Sequence, residues 1–152
     1  MELEINSNKH GKLIVLYDEC DKHVVESHNW YLLGNKWGHV YAITTIKMKK
    51  IKLHTLIMGI KGVDHKSGDT LDNRRDNLRI CTHQQNMCNR KPQSGCLSKY
   101  KGVHFSGKYI NYQLVVKGKR YRGYAKTEIE AAKKYNELAI EHHGEFARLN
   151  QF

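Results

Sequence analysis

The chain has 152 residues, of which 39% are hydrophobic, and it carries a formal net charge of +11 at pH 7. This length allows one ordinary domain or two small ones, and no apolar run approaches the roughly 18 residues that a membrane-spanning helix needs. The first residues lack a basic stretch followed by an apolar one, so we expect no secretory signal and a cytoplasmic protein.

The excess positive charge is concentrated in one part of the chain. Between Asn77 and Thr127 there is no Asp or Glu but there are 11 Lys and Arg residues, whereas the rest of the chain holds 15 basic and 15 acidic residues. A polyanionic partner explains such clustering, because Lys and Arg residues that neutralise phosphates release counterions. We interpret this partner as nucleic acid. An anionic membrane surface is the alternative, but the sequence shows no basic amphipathic helix that would bind one.

The N-terminal third, residues 1–52, is rich in β-branched and aromatic residues. Runs at 13–17 and 39–46 predict strands, because each is bounded by polar turn residues. Residues 53–59 predict a short helix that Gly59 ends.

A strand, a loop, a second strand and a helix are predicted next. Residues 63–65 form the first strand and 78–82 the second, and the loop between them begins at Ser67-Gly68-Asp69. Thr82 and Gln85 fit a helix capping box, so we expect a helix of about two turns through Arg90.

The C-terminal third begins after a predicted linker that holds the single proline. Three strands, at 100–105, 109–116 and 119–124, are followed by a helix that Thr127 caps and Gly144 ends. We therefore predict the α+β class with this division: an N-terminal β segment plus a strand–strand–helix hairpin at 1–91, a linker at 92–98, and a three-stranded antiparallel sheet packed on one helix at 99–152.

Chemically useful side chains cluster in the predicted hairpin. Asp64 and Asn86 offer hard oxygen ligands for Mg²⁺ or another divalent cation such as Mn²⁺. His65, if it reaches solvent, can take a proton from water, and Asn77 is expected to hydrogen-bond near it and orient its ring. His83 is an alternative to Asn86.

Four cysteines, at 20, 81, 88 and 96, do not form a C-x-x-C pair. We interpret them as free or buried thiols of a reducing compartment. A zinc site that uses Cys81, Cys88 and Cys96 with a histidine stays open as the alternative.

The segment from Leu53 to Asn89 resembles the HNH (ββα-metal) nuclease superfamily, and specifically its phage homing-endonuclease branch. The D-H, N-L-R and H-Q-Q-N strings and the intervening D-N-R-R carry this resemblance. It implies that Asp64 and Asn86 are metal ligands, that His65 is the general base, and that Asn77 is its orienting partner. If a phage encodes the chain, the compartment is the cytoplasm of the bacterial host. His54 also matches a recurrent position, with an expected structural or phosphate-contacting role.

Residues 99–152 resemble the APETALA-type (ethylene-response-factor) DNA-binding domain. Y-K-G-V, R-G-Y, T-E-I-E-A-A, Y-N-E-L-A and the terminal H-G-E-F-A-R-L-N carry the resemblance. It implies a sheet that enters the major groove of double-stranded DNA. The matching positions are Lys101, His104, Lys108, Lys119, Arg120 and Arg122. Val115 departs from the family, which has Arg there.

Together these features predict a metal-dependent, site-directed DNA endonuclease that acts as a monomer or weak dimer and either nicks or cuts both strands. The alternative is a non-catalytic, sequence-specific DNA-binding regulator whose HNH hairpin is only a scaffold.

Overall fold

The computed structural model describes residues 1–35, 38–90 and 96–152. By contact density the chain divides into two compact units, Met1–His83 and Gln84–Phe152. Within the described ranges, no helix is both long and apolar enough to cross a membrane.

The predicted domain boundaries remain predictions. Residues 92–95 of the expected linker lie outside the described residues. Ser98, at its end, is buried, and its hydroxyl donates to Glu128 Oε1 at 2.7 Å and accepts from the Tyr100 amide at 3.0 Å. The C-terminal unit therefore includes at least this residue in its packing.

The first unit opens with a hairpin of two antiparallel strands, β1 (Glu2–Ser7) and β2 (Gly11–Leu16). A short helix, α1 (Lys22–Glu26), follows. Of these two strands only β2 was located from the sequence, by its apolar I-V-L run. The other, β1, was missed, although the alternation of apolar with charged residues there is itself a strand pattern.

A second antiparallel sheet has the order β3-β4-β5. Its strands are β3 (Tyr31–Gly34), β4 (Val40–Ile46) and β5 (Lys49–Lys52). The turn between β4 and β5 is made by two residues with left-handed backbone, Lys47 at φ 47° and Met48 at φ 61°. Such a turn matches the twist of the paired strands, although neither side chain favours that region.

Helix α2 (Leu53–Met58) ends where predicted, at Gly59, whose φ is 67°. Its buried face, Leu53 and Ile57, packs into a core to which the hairpin and the sheet contribute. The other buried members of this core are Ile5, Val15, Tyr17, Val25, Leu32, Ala42, Val63 and Leu78.

The predicted strand pair is present as β6 (Val63–His65) and β7 (Leu78–Ile80), which are antiparallel. Two contacts fix the loop that joins them. The Arg75 guanidinium donates from Nη2 to Asp21 Oδ1 at 2.6 Å and from Nε to Oδ2 at 2.8 Å, and Asp21 is 1% exposed. The Asn73 amide donates to the Leu16 carbonyl at 2.8 Å. Helix α3 (His83–Cys88) follows and is shorter than predicted.

The second unit contains a three-stranded antiparallel sheet of order β10-β9-β8. The strands are β8 (Val103–Ser106), β9 (Tyr109–Val116) and β10 (Lys119–Ala125). The sequence pattern had located all three.

Helix α4 (Glu128–His143) packs on one face of this sheet through Ala131, Ala132, Tyr135 and Ala139. The Thr127 hydroxyl accepts from the Glu130 amide at 3.1 Å, as the predicted cap requires. Gly102 allows the close approach of helix and sheet: its φ is +74°, and a Cβ there would lie 2.0 Å from the Tyr135 ring.

The chain end is tied back to this unit by one carboxamide. Asn150 Oδ1 accepts from the Lys101 amide at 2.6 Å, and Asn150 Nδ2 donates to the Lys101 carbonyl at 3.1 Å. The Asn136 side chain binds the Asn150 backbone twice: its Oδ1 accepts from the Asn150 amide at 2.8 Å, and its Nδ2 donates to the Asn150 carbonyl at 2.9 Å. Asn150 therefore has a structural role.

Candidate active site and nucleic-acid interface

Asp64 occupies the middle of β6, directly opposite Arg79 of β7. Residues that face each other across an antiparallel pair share one side of the sheet. Arg79 donates to Asp64 Oδ2 from Nη2 at 2.9 Å and from Nε at 3.2 Å. Both side chains are 9% exposed, so the predicted metal-ligating carboxylate lies in a buried ion pair. Sequence reasoning missed Arg79, which only the strand register brings to this position.

His65 is the last residue of β6, and it lies among aromatic rings. The His54 ring meets it edge-on, with centroids 4.7 Å apart, and the Tyr41 ring centroid is 6.4 Å away. Its Nε2 lies 3.3 Å from Asn73 Oδ1. The access to solvent that the predicted role of His65 requires is not present, since the residue is 4% exposed. These neighbours enclose the ring because α2 and the 66–77 loop converge on the end of β6.

Burial determines the protonation of both imidazoles. Desolvation lowers the pKa of His65, although the Asn73 hydrogen bond and the Asp64 charge oppose it. Desolvation, with the nearby His65 and Lys52, lowers the pKa of His54 to about 3. Both rings are therefore neutral at pH 7, and a neutral ring retains a lone pair that can accept a proton.

Lys52 is a cation whose charge acts on both of these rings. Its Nζ lies 3.8 Å from the centroid of the Tyr41 ring, a cation–π geometry. Burial lowers the pKa of Lys52. The ammonium thus adds positive charge beside the two imidazoles, which favours their neutral forms.

Asn77 does not take the predicted contact with the His65 ring. Its Oδ1 accepts from the Ser67 amide at 3.0 Å and its Nδ2 donates to the Asp72 carbonyl at 2.8 Å. Asn77 lies directly before β7 and opposite the residues that follow β6. Its side chain therefore closes the 66–77 loop and does not contact the His65 ring. Asn73, 1% exposed and fixed to Leu16, is the residue that contacts the ring.

Asn86 and its alternative His83 both lie on α3, and both are exposed. The division between the compact units falls within this helix. The convergence of Asn86 with Asp64 on one metal ion therefore stays a prediction.

The donor chemistry of Asp64 and Asn86 fits a hard divalent cation, because one carboxylate and one amide oxygen leave several positions for water. The Asp64 carboxylate is moreover already in contact with a positive charge. Among the residues described, no group of three or more His, Cys, Asp or Glu side chains could hold a metal ion. All four cysteines are free thiols, and because no such ligand group occurs among the described residues, the zinc alternative gains no support from the structure.

The outer face of the C-terminal sheet presents three of the six predicted DNA-contacting residues. Arg122 lies opposite Gln113 and Arg120 opposite Val115, while His104 lies opposite Asn111 on the other edge. Tyr112 and Leu114 face α4, so their neighbours on β9 face away from it. All three predicted residues are exposed.

The other three predicted residues lie elsewhere. Lys119 lies on the side of the sheet that faces α4, and its Nζ is 4.9 Å from the centroid of the Tyr121 ring. Lys108 is exposed in the turn before β9. Lys101 is turned inward: its ammonium donates to the Cys88 carbonyl, and burial lowers its pKa to about 8. A phosphate contact by Lys101 is therefore not supported.

This outer face also carries a polar atom for which the described residues provide no hydrogen-bond partner. Asn111 Oδ1 is buried and accepts no hydrogen bond from the part of the chain that the structure describes. It lies in a shallow depression also lined by His104, Gln113, Arg122 and Tyr124. An acceptor in such a position favours a ligand that carries a donor.

Comparison with known proteins places the hairpin in a family. A family model described as HNH endonuclease matches residues 61–88, which include β6, β7 and α3. A protein of Acanthamoeba polyphaga mimivirus, named an uncharacterized HNH endonuclease, is 32% identical over 150 residues, covering 93% of this chain and 77% of that protein. No solved structure matches the chain.

Proposed function

The chain belongs to the HNH endonuclease family, and we propose that it is a metal-dependent DNA endonuclease in which His65 activates the attacking water. The observation that carries this proposal is the position of His65 next to Asp64 at the end of β6, within the segment that matches the family. Burial lowers the pKa of His65, which favours the neutral imidazole that such a base needs. The basic tract from Asn77 to Thr127 supplies the affinity for DNA.

The side chain of Asn73 defines which nitrogen acts as the base. Its Nδ2 donates to the Leu71 carbonyl at 3.0 Å, so its Oδ1 is the atom that faces His65. Nε2 of a neutral ring must then carry the proton that it donates to Oδ1, and Nδ1 retains the lone pair. Nδ1 accepts a proton from water, the resulting hydroxide attacks the phosphorus, and the bond to the 3′ oxygen breaks, after which that oxygen takes a proton from solvent.

Asp64 and Asn86 are the proposed ligands of Mg²⁺ or Mn²⁺. A divalent ion held there supplies charge stabilisation of the phosphate and of the departing 3′ oxygen. Asn77 has an indirect role, because it closes the 66–77 loop that begins next to His65.

The burial of His65 adds a requirement to this mechanism. With 4% of the residue exposed, water reaches the imidazole only after a neighbouring side chain moves.

We further propose that the C-terminal unit is an APETALA-type module that delivers the nuclease to a site, as in homing endonucleases of phage type. Arg120 and Arg122 on the outer sheet face supply contacts to phosphate or guanine. The Asn111 and Gln113 carboxamides are suited to adenine, which offers a donor and an acceptor side by side in the major groove.

The rival function is a DNA-binding regulator without catalysis, which the buried state of His65 favours. A plasmid relaxation assay separates the two. The nuclease proposal expects supercoiled plasmid to be nicked with Mg²⁺, no product with EDTA, and no product from Asp64→Ala with Mg²⁺. Binding of duplex DNA without cleavage under Mg²⁺ or Mn²⁺ would establish the regulator instead.

A further inference from the structure

The ion pair of Asp64 and Arg79 is unusual in its burial. Both of its side chains are 9% exposed, whereas Arg74 is 52% exposed in its pair with Asp72 and Lys12 is 60% exposed in its pair with Glu4. A buried pair contributes less to stability than its attraction suggests, because both charges lose their hydration. An apolar pair would fill this position between β6 and β7 at lower cost, so the charges call for a functional explanation.

The charge of this position changes sharply when a metal ion binds. The carboxylate and the guanidinium cancel, so the pair carries no net charge without metal. A divalent cation at Asp64 would add two positive charges close to a guanidinium in a medium of low dielectric constant. Arginine cannot relieve the repulsion by losing its proton, because a guanidinium group stays protonated in proteins. Arg79 therefore opposes metal binding whether it stays on the carboxylate or is displaced from it.

A phosphodiester group supplies the missing negative charge. Each phosphate of the DNA backbone carries one negative charge, and a guanidinium binds phosphate oxygens with two parallel hydrogen bonds. A phosphate that enters beside Asp64 would both neutralise the metal ion and offer Arg79 a new acceptor. The like-charge conflict is then relieved only in the ternary assembly of protein, metal and DNA.

From these contacts we propose that Arg79 couples the metal centre to the substrate: it keeps divalent-ion binding weak in the free protein and lets the ion bind tightly only when a DNA phosphate is in the site. The inference rests on the proposed function in one respect, the assignment of Asp64 as a metal ligand. By linkage, the factor by which DNA tightens the binding of metal is also the factor by which metal tightens the binding of DNA. Arg79 also holds the Asp64 carboxylate in place before the ion arrives.

The test measures Mn²⁺ binding directly, from the electron paramagnetic resonance signal of the free ion. The full chain carries His65→Ala so that duplex DNA stays intact during the titration. In this parent protein we expect the Mn²⁺ dissociation constant to fall by at least about tenfold when linear duplex DNA is added. With Arg79→Met added, Mn²⁺ should bind about tenfold more tightly without DNA, and the effect of DNA should shrink to less than about threefold.

Two further variants separate charge from other causes. Arg74→Met removes the same charge from an exposed pair of the same unit and should change the Mn²⁺ affinity by less than about threefold, because water screens it. Arg79→Lys keeps the positive charge and should keep both the weak binding and the effect of DNA. If Arg79→Met fails to fold, the parent protein and Arg79→Lys still test the proposal. If DNA tightens the binding of Mn²⁺ to the parent protein by less than threefold, the proposal is overturned.

The failure of this proposal is distinguishable from the failure of the proposed function. Asp64→Ala should abolish Mn²⁺ binding with and without DNA. If Mn²⁺ binds Asp64→Ala as it binds the parent, Asp64 is not a ligand, and both the metal assignment and this inference are wrong. If Asp64→Ala abolishes binding but Arg79→Met leaves it unchanged or weakens it, the nuclease assignment survives and the inference about Arg79 is overturned.

Discussion

The buried imidazole of His54 makes the stability of the first unit sensitive to acid. In the folded protein burial lowers the pKa of His54 to about 3, whereas in the unfolded chain the ring has its ordinary value of 6.5. Between these two values the unfolded chain binds a proton that the folded protein does not. Lowering the pH below 6.5 therefore favours unfolding by about 1.4 kcal/mol for each pH unit, until the folded ring titrates near pH 3.

The size of this effect is large enough to measure. At pH 4.5 the loss from His54 alone amounts to about 2 to 3 kcal/mol relative to pH 7, a substantial part of the 5 to 15 kcal/mol that holds a typical domain folded. The lowered pKa of His65 adds to the loss in the same direction. The assay is urea denaturation at pH 7 and pH 4.5, followed by tryptophan fluorescence.

The informative comparison uses His54→Phe, which keeps a ring against His65 but cannot take a proton. This variant should lose about 2 to 3 kcal/mol less than the wild type between pH 7 and pH 4.5, the amount that the His54 proton accounts for. His23→Gln removes an exposed imidazole and should lose as much as the wild type. An equal loss in His54→Phe and in the wild type would show that His54 is not buried in the neutral form.

Three further outcomes are expected. Arg120→Ala and Arg122→Ala should each weaken DNA binding and lower the slope of log affinity against log salt concentration by about 1. The control Lys133→Ala, on the exposed side of α4, should leave this slope unchanged. Equal slopes in all three variants would argue against phosphate contact by the sheet. Asn73→Ala should reduce cleavage by about tenfold at unchanged DNA affinity, and a wild-type rate would show that the ring needs no such partner. Met48→Gly should stabilise the protein against urea by about 1 kcal/mol, because the residue is 97% exposed at φ 61°, and any loss of stability would contradict the strain.

Much of the secondary structure could be predicted from the sequence because local signals were strong. Gly59 and Gly144 end α2 and α4 as expected, and Thr127 caps α4 through the Glu130 amide. The strands β9 and β10 were located by their aromatic and β-branched residues. The strand β1 was missed because its alternating pattern is short and includes only two apolar residues, Leu3 and Ile5.

The candidate site depends on contacts that local sequence patterns do not report. Arg79 reaches Asp64 only through the pairing register of β6 and β7, which a strand pattern alone leaves open. Asn73 looks like a turn residue in D-N-R-R, and it reaches His65 because its backbone is bonded to Leu16, 57 positions earlier. Lys101 was assigned to DNA by resemblance, yet its ammonium is turned to a backbone carbonyl.

The His65 imidazole is the group on which the proposed chemistry depends, and one measurement tests it most directly. The single-turnover cleavage rate of His65→Ala is compared with that of the wild type at saturating Mg²⁺, with DNA affinity measured in parallel. The account predicts a rate lower by about 10²- to 10⁴-fold and an affinity within a few-fold of wild type. Cleavage by His65→Ala at the wild-type rate would contradict it.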